Sequence, residues 1–332
     1  MNQLVISRTG PPAEVTELRP QECPVPGPGE VRLRMQAAAI NPADLNFIEG
    51  TYGKKPSLPC VPGMEGVGLI DALGPEVADR FPALSLGTPV IPLPSPGNWA
   101  TWRLVQAFEA VPLPAGIALL QAALLRINPA TAWGLLHAAG PPVPGSWVVQ
   151  NAASSAAGHC VIQLAKFLGL RTLNFVRRPE SIAVCGALGA DLVFLDDPDG
   201  LASAKAALSA AASPAPALAL NAVGGDSALR LLDLLGPHGS HITYGAMSRQ
   251  ALKIPNGMLI FKALELRGFW LTRWQEKASP QEITRMYHKL AGLVVAGNLR
   301  QEIAATYPVG AYREAMAHAA TSGRNGKVLL TF

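Results

Sequence analysis

The sequence predicts an α/β protein in which a doubly wound parallel sheet is inserted into a strand-rich domain. Three observations predict it. Prolines crowd the front of the chain, with 22 of 30 at or before Pro144. Proline ends helices and interrupts central ladders, so this part reads as short strands and turns. From about Ser146 short apolar runs alternate with segments of helical apolar spacing, the pattern of parallel strands joined by helices. The last run, residues 327–332, is a strand that follows this alternation yet suits the first part, so the C-terminus is expected to return there.

In chain order, residues 31–39 and 66–73 read as strands, and Pro24-Val-Pro-Gly-Pro-Gly29 and Pro92-Leu-Pro-Ser-Pro-Gly97 as loops. Residues 147–150 are a short apolar strand. Residues 158–168 place Val161, Ile162, Ala165 and Leu168 at helical spacing. Residues 172–176 form the next strand, and Pro179 suits the first turn of the helix after it. Further strands are expected at 191–195, 217–221, 241–244 and 264–270, with the Ala-rich stretch 201–212 a helix between two of them. Ser279-Pro-Gln-Glu282 has the form of a capping box. Residues 310–320 read as the final helix.

The 332 residues suffice for two domains with separate cores. With 49% hydrophobic and 15% charged residues the chain is globular. The net charge of +4 is spread thinly, with no basic stripe, so no nucleic-acid partner is expected. Cys23, Cys60, Cys160 and Cys185 form no paired motif, which fits a reducing compartment. The first residues carry no charged segment followed by an apolar one, and Gly, Pro or charge interrupts every apolar run within ~18 residues. A cytoplasmic protein without membrane association is therefore expected, and the Ala, Leu and Pro content suggests a bacterial source.

The first chemical signal is the turn after strand 147–150, Asn151-Ala-Ala-Ser-Ser-Ala-Ala-Gly158. Small side chains let backbone approach a ligand, and the following helix end offers N–H groups and a positive dipole to a pyrophosphate. Ser154, Ser155, Ala156, Ala157 and Gly158 are the candidate contacts. Ala and Ser stand where a GxGxxG motif has glycine, so an ordinary packed turn remains the alternative. The second signal is Arg177-Arg178 at the end of strand 172–176, 19 residues beyond Gly158 (177 − 158). A dinucleotide site for NAD presents an acid there for the ribose hydroxyls. A guanidinium suits the 2′-phosphate of NADPH instead, the alternative being a surface arginine pair. The third signal is negative: nothing resembles a metal site, and His238 and His241 read as turn or surface residues.

The segments Ile40-Asn-Pro-Ala-Asp-Leu-Asn46, Ile48-Glu-Gly-Thr-Tyr-Gly53, Pro62-Gly-Met-Glu-Gly66, Leu218-Ala-Leu-Asn-Ala-Val-Gly-Gly225, Thr243-Tyr-Gly-Ala-Met247 and Leu259-Ile-Phe-Lys262 through Leu266-Arg-Gly-Phe-Trp270 span the chain. On these the protein resembles the medium-chain dehydrogenase/reductase superfamily, and within it the zinc-free, mitochondrial-type trans-2-enoyl thioester reductases, close to quinone oxidoreductases. The resemblance implies a GroES-like catalytic domain at 1–122 and 299–332 around a Rossmann domain at 123–298. Zinc-dependent members have His where this chain has Met64, and a thioether replaces imidazole on zinc poorly. The family's cysteine ligand near Asn41 and its four-cysteine lobe are also missing, so no metal is expected.

The family's proposed proton donor maps onto Tyr52, with a half-buried turn tyrosine as the alternative. Asn41 is implied near the nicotinamide ribose or the substrate, and Thr131 is taken to open the linking helix and touch the cofactor. Asn221, Val223 and Gly224 are implied on the adenosine side, and Tyr244, Gly245 and Met247 at the end of a strand facing the cofactor. Phe269 and Trp270 are implied near the carboxamide and Lys327 near the nicotinamide half. Similar reductases keep glycine at the place of Ala156. A methyl group is tolerable there if the backbone is not left-handed.

The implied reaction is NADPH-dependent reduction of 2-enoyl thioesters, carried on acyl carrier protein or coenzyme A, by a homodimer that pairs near residues 264–270. Lys54 and Lys55 are candidates for a basic rim, or are two solvated loop lysines. Reduction of quinones or small enones is the alternative within the superfamily. A non-catalytic NADPH-binding protein, crystallin-like or sensor-like, is the alternative of another class.

Overall fold

The computed structural model describes residues 1–321 and 323–332. The chain forms two compact units, Met1–Ile127 with Pro280–Phe332, and Asn128–Ser279. In chain order the strands are β1 (Asn2–Ile6), β2 (Thr16–Pro20), β3 (Glu30–Ile40), β4 (Gly66–Leu73), β5 (Pro89–Pro92), β6 (Trp102–Gln106), β7 (Ala110–Pro112), β8 (Trp147–Gln150), β9 (Arg171–Val176), β10 (Leu192–Leu195), β11 (Leu218–Asn221), β12 (Ser240–Thr243), β13 (Glu265–Gly268), β14 (Ile303–Pro308) and β15 (Lys327–Thr331).

In the first unit, β1 and β2 make an antiparallel ribbon, and a mixed sheet runs β14-β15-β3-β4-β5-β7 with β6 also on β3. β3 organises this sheet. Val31, Leu33 and Met35 alternate into one core with Ile70, Val90 and Val105, as a strand's two-residue period requires. Its end, Ala38 and Ile40, joins a second core with Phe47, Ile48, Trp99, Val328 and Leu330. β15 pairs antiparallel with β3, Val328 opposite Ile40. The C-terminus thus returns to the first unit, and the register sets Lys327 beside Asn41.

An eight-residue helix, Pro42–Glu49, opens in this proline-rich region. Pro42 suits the first helical position. The Asn41 N–H donates to Asp44 Oδ2 at 2.7 Å, one half of a capping box. Gly50, at φ 76°, ends the helix left-handed.

The second unit is a six-stranded sheet ordered β10-β9-β8-β11-β12-β13. Every pairing in it is parallel. Helices Ala156–Phe167, Glu180–Ala187, Pro198–Ala210 and Gly225–Leu234 connect its strands, the doubly wound arrangement expected. β13 is shorter than the strand expected at 264–270, and all four of its residues are exposed at the sheet edge.

One expectation needs correction. His241 is not a surface residue: it lies within β12, between Ala219 and Leu266 of the flanking strands, and is 1% exposed. His238, in the preceding turn at φ 60°, is exposed as expected. Compactness divides the chain at points other than the joints expected at 122/123 and 298/299. Helix Pro280–Val295 packs in the first unit, where the Tyr287 hydroxyl donates to the Arg126 carbonyl oxygen at 3.0 Å. Helix Asn128–His137 belongs to the second unit, so compactness divides the chain at Ile127/Asn128 and Ser279/Pro280.

Candidate functional site

Among the described residues the first unit buries five charged side chains, Arg103 and the group Asp44, Glu65, Arg126 and Lys327, none more than 9% exposed. A charge taken from water needs partners. Asp44 takes two backbone donors, the N–H of Asn41 and that of Met64, each at 2.7 Å. Glu65 accepts from Asn41 Nδ2 at 2.8 Å and from the Ile127 N–H at 2.9 Å. Lys327 Nζ donates to Asn41 Oδ1. Arg126 donates to the carbonyl oxygens of Met64 and Leu93 and to Ser95 Oγ.

The Asn41 amide is therefore oriented from both ends, its NH2 towards an anion and its oxygen towards a cation. Burial drives both carboxyl pKa values up, Asp44 to about 7, with the two backbone donors opposing it. Glu65 is raised by burial too, while Lys327 pulls it back down.

The structure brings the expected Asn41 and Lys327 together and adds Asp44, Glu65 and Arg126, which sequence reasoning did not single out. A signal existed. Asp44 and Glu65 stand inside the matched segments, and Glu65 is flanked by Met64 and Gly66, both buried. Met64, 7% exposed, sits in the same cluster. Among the described residues no group of three or more His, Cys, Asp or Glu is arranged to hold a metal ion.

Tyr52 follows Gly50 on the loop that leaves helix Pro42–Glu49. The N–H groups of Thr51 and Tyr52 both donate to the Asn46 carbonyl oxygen, at 2.9 and 3.1 Å, which fixes the loop on the helix end. The Tyr52 ring is half-buried against the core that contains Phe47, Ile48, Met64 and Trp99. Lys54 is exposed. Lys55 turns back so that its ammonium donates to the Gly50 carbonyl oxygen.

In the second unit the turn after β8 is tightly built. Ser155 caps helix Ala156–Phe167, its Oγ accepting from the Gly158 N–H at 3.1 Å. A Cβ on Gly158 would lie 2.5 Å from the Ala153 carbonyl oxygen, so only glycine lets the helix seat there. Ser154 is exposed, and Ala156 and Ala157 are half-buried in the first helical turn. Ala156 is right-handed and carries its methyl without strain, whereas Ala152, at φ 47°, is left-handed.

Arg177 is exposed and has no ion-pair partner among the described residues. Arg178, half-buried, lies 4.0 Å from the exposed Glu180, a contact worth little.

Asn221 is fully buried, and its Oδ1 accepts from the N–H groups of Val223 and Gly224 at 3.1 and 3.0 Å. Gly224 has φ 89°, and a Cβ there would meet the Gln250 carbonyl oxygen at 2.6 Å. Tyr244 follows β12; its hydroxyl is buried without a hydrogen-bond partner among the described residues, and burial pushes its pKa up. A Cβ on Gly245 would lie 2.8 Å from the Ala222 carbonyl oxygen.

Met247 is 67% exposed. The Phe269 ring covers Gly134, where a Cβ would come within 2.4 Å of it. Trp270 precedes helix Leu271–Lys277, with the Arg273 guanidinium 5.8 Å from its ring centroid. Thr131 is the fourth residue of helix Asn128–His137 and does not open it as expected.

A doubly wound parallel sheet carried between two parts of a mixed β unit is the build of the medium-chain dehydrogenases/reductases. The family model described as alcohol dehydrogenase GroES-like domain matches residues 27–114, and that described as zinc-binding dehydrogenase matches residues 156–289. Enoyl-[acyl-carrier-protein] reductase, mitochondrial, of Mus musculus is 38% identical over 333 residues, 99% of this chain and 88% of the mouse protein. A putative NADPH:quinone reductase from Bacillus thuringiensis has a TM-score of 0.90 at 26% identity over 100% of this chain and 98% of its own. The Etr1p/NADP/crotonyl-CoA complex has a TM-score of 0.87 at 26% identity over 100% and 99%.

The chain belongs to the medium-chain dehydrogenase/reductase superfamily, in the family of the mitochondrial enoyl-[acyl-carrier-protein] reductases.

Proposed function

We propose that the chain reduces the α,β double bond of 2-enoyl thioesters with NADPH. The observation that carries this reading is the 38% identity to the mouse enoyl reductase over 99% of the chain. The second unit fits a dinucleotide. Its turn after β8 excludes a Cβ at Gly158 and ends on a capped helix N-terminus, the form that receives a pyrophosphate. The exposed Arg177, with Arg178 beside it, suits a 2′-phosphate. The bound nicotinamide supplies hydride to the substrate β-carbon.

What the protein must then do is manage charge and a proton. Negative charge grows on the thioester oxygen, and a hydroxyl such as that of Tyr52 stabilises it by donating a hydrogen bond. The same hydroxyl, directly or through water, supplies the proton to the α-carbon. Asn41, its amide oriented by Glu65 and Lys327, offers a fixed dipole for the substrate or the ribose. Ser154, Ser155, Ala156, Ala157, Gly158, Val223 and Gly224 supply small side chains and backbone N–H groups to the dinucleotide. Thr131, Asn221, Tyr244, Gly245, Met247, Phe269, Trp270 and Lys327 complete the proposed set. Acyl carrier protein or coenzyme A carries the acyl group. The exposed edge of β13 is the proposed homodimer contact.

NADPH oxidation is measured with crotonyl-CoA, 2-hexenoyl-CoA and a benzoquinone. Turnover of the thioesters is expected. Turnover of the quinone alone favours the second reading, quinone reduction, which the fold likeness to the putative quinone reductase supports. Binding of NADPH with no acceptor reduced favours a non-catalytic protein. Tyr52→Phe is expected to slow thioester reduction at least ~10²-fold, and an unaffected rate removes the tyrosine from the mechanism.

A further inference from the structure

A buried chain of hydrogen bonds runs behind the phosphate-binding turn of the second unit and joins the C-terminal ends of four strands. Asn151, the residue after β8, donates from Nδ2 to Asn221 Oδ1 and to Ser227 Oγ, both at 2.8 Å. Its Oδ1 accepts from the Ala222 N–H at 2.7 Å. The Ser227 hydroxyl donates to Asp196 Oδ2 at 2.5 Å. Arg230 Nε donates to Asp196 Oδ1 at 2.7 Å, and its Nη2 to the Asp196 carbonyl oxygen at 2.8 Å. On the other side Asn221 Nδ2 donates to Thr243 Oγ1 at 3.1 Å. Asn151 and Asn221 are fully buried and Ser227 is 6% exposed.

The donor directions leave one arrangement. Arg230 only donates, so Asp196 only accepts. Ser227 has one proton, which goes to Asp196, so its oxygen must accept from Asn151. Both Asn151 amide protons are then used and its oxygen faces Ala222. The side chain can neither flip nor rotate without leaving buried groups unpaired.

What this rigidity holds is the next residue. Ala152 has φ 47°, a left-handed conformation that is strained for a non-glycine residue. Such a residue persists only where its surroundings over-determine it. Asn151 fixes the backbone on one side. On the other, the Ala153 N–H donates to the Phe175 carbonyl oxygen at 3.1 Å. The conformation matters because Gly158 seats directly on this stretch. A Cβ on Gly158 would lie 2.8 Å from the Ala152 carbonyl oxygen and 2.5 Å from that of Ala153. A shift at Ala152 moves the surface on which the start of helix Ala156–Phe167 rests.

We propose that Asn151, locked by Ser227, Asp196 and Arg230, is a positioning residue for dinucleotide binding. It holds Ala152 left-handed and so keeps the N–H groups at the start of helix Ala156–Phe167 set for a pyrophosphate. This rests on reading the second unit as a dinucleotide-binding unit, and goes beyond that reading in making the affinity depend on Ser227, Asp196 and Arg230, which lie outside the turn.

The test uses the full chain and two probes, NADPH and NADH, with Kd read from the change in nicotinamide fluorescence on binding and Tm read alongside. Ser227→Ala is expected to raise both Kd values by the same factor, about tenfold, as the loss of one buried hydrogen-bond link implies. The NADPH to NADH preference stays unchanged. Ala152→Gly added to Ser227→Ala is expected to recover most of the loss, because glycine takes φ 47° without help.

A lowered Tm with both Kd values unchanged overturns the proposal, as does a loss that Ala152→Gly does not recover. If Ser227→Ala does not fold, Arg230→Lys loosens the far end of the chain and is expected to weaken both cofactors about threefold, a fraction of one hydrogen bond. No change in either Kd overturns the proposal there as well. A wild type that prefers NADH refutes the NADPH reading, yet equal weakening of both probes still upholds the positioning role. A wild type that binds neither dinucleotide refutes both.

Discussion

His241 predicts how the second unit responds to acid. The ring is 1% exposed, and neither ring nitrogen has a hydrogen-bond partner among the described residues. Burial disfavours the charged imidazolium and pushes the pKa from 6.5 down to about 4. The folded pKa lies below the unfolded one, so the unfolded chain binds more protons between these values. The stability from a neutral His241 is therefore complete above pH 6.5 and is lost as pH falls towards 4. The shift spans about 2.5 pH units, and at ~1.4 kcal/mol per unit the full loss is about 3 kcal/mol. At pH 5, most of the way through the window, it amounts to about 2 kcal/mol.

Asp44 opposes this, because its folded pKa is raised to about 7 from 3.8. Its carboxylate costs stability above that window, and the cost disappears as pH falls. The effect of His241 must therefore be isolated by difference. Urea unfolding followed by tryptophan fluorescence at pH 7.5 and 5.0 compares wild type with His241→Leu, which fills the same buried place without titrating. Wild type is expected to lose about 2 kcal/mol more than the variant between the two pH values. Equal losses would refute the reasoning.

Three further outcomes are expected. Gly158→Ala drives a methyl against the Ala153 carbonyl oxygen at 2.5 Å, costing about 1–3 kcal/mol; a thermal melt with unchanged midpoint contradicts it. Lys327→Met leaves Asp44 and Glu65 buried without their nearest side-chain cation, and the expected loss is about 3–5 kcal/mol in urea unfolding at pH 8. That loss shrinks towards pH 5 as the raised carboxyls take up protons, so a pH-independent loss argues against a charge effect. Arg177→Glu puts a negative charge where the 2′-phosphate is proposed to bind; KM for NADPH is expected to rise at least about tenfold with KM for NADH unchanged, and a parallel rise in both moves the phosphate site elsewhere.

Strand positions were legible because both domains bury continuous or alternating apolar runs. β3, β4, β8 and β9 fall within a residue or two of the expected bounds. Helix Pro42–Glu49 was hidden, since its signal is one proline and a single Asn41–Asp44 cap within a region dominated by turn residues. His241 was misplaced for a related reason. A histidine at a strand start is ordinarily solvated, and only the pairing of β12 with β11 and β13 on both sides buries it. Where compactness divides the chain was not legible either, because helix Pro280–Val295 meets the first unit through bonds such as Tyr287 to Arg126, 161 residues away.

The candidate site was legible one residue at a time and opaque as a set. Motif matching finds Asn41 and Lys327 separately. What neither periodicity nor spacing carries is that the antiparallel register of β15 on β3 places them side by side. The turn Gly63-Met64-Glu65 then completes the group. Once assembled, the group constrains its members more than any one of them suggests. The Asn41 amide reads as a free donor and acceptor in the sequence. In the fold its oxygen is bonded by Lys327 and one of its N–H groups by Glu65, so among the described residues one amide proton is left over. A change at position 65 or 327 can thus turn Asn41 without touching it. Its role is a property of three residues, of which the resemblance supplied two.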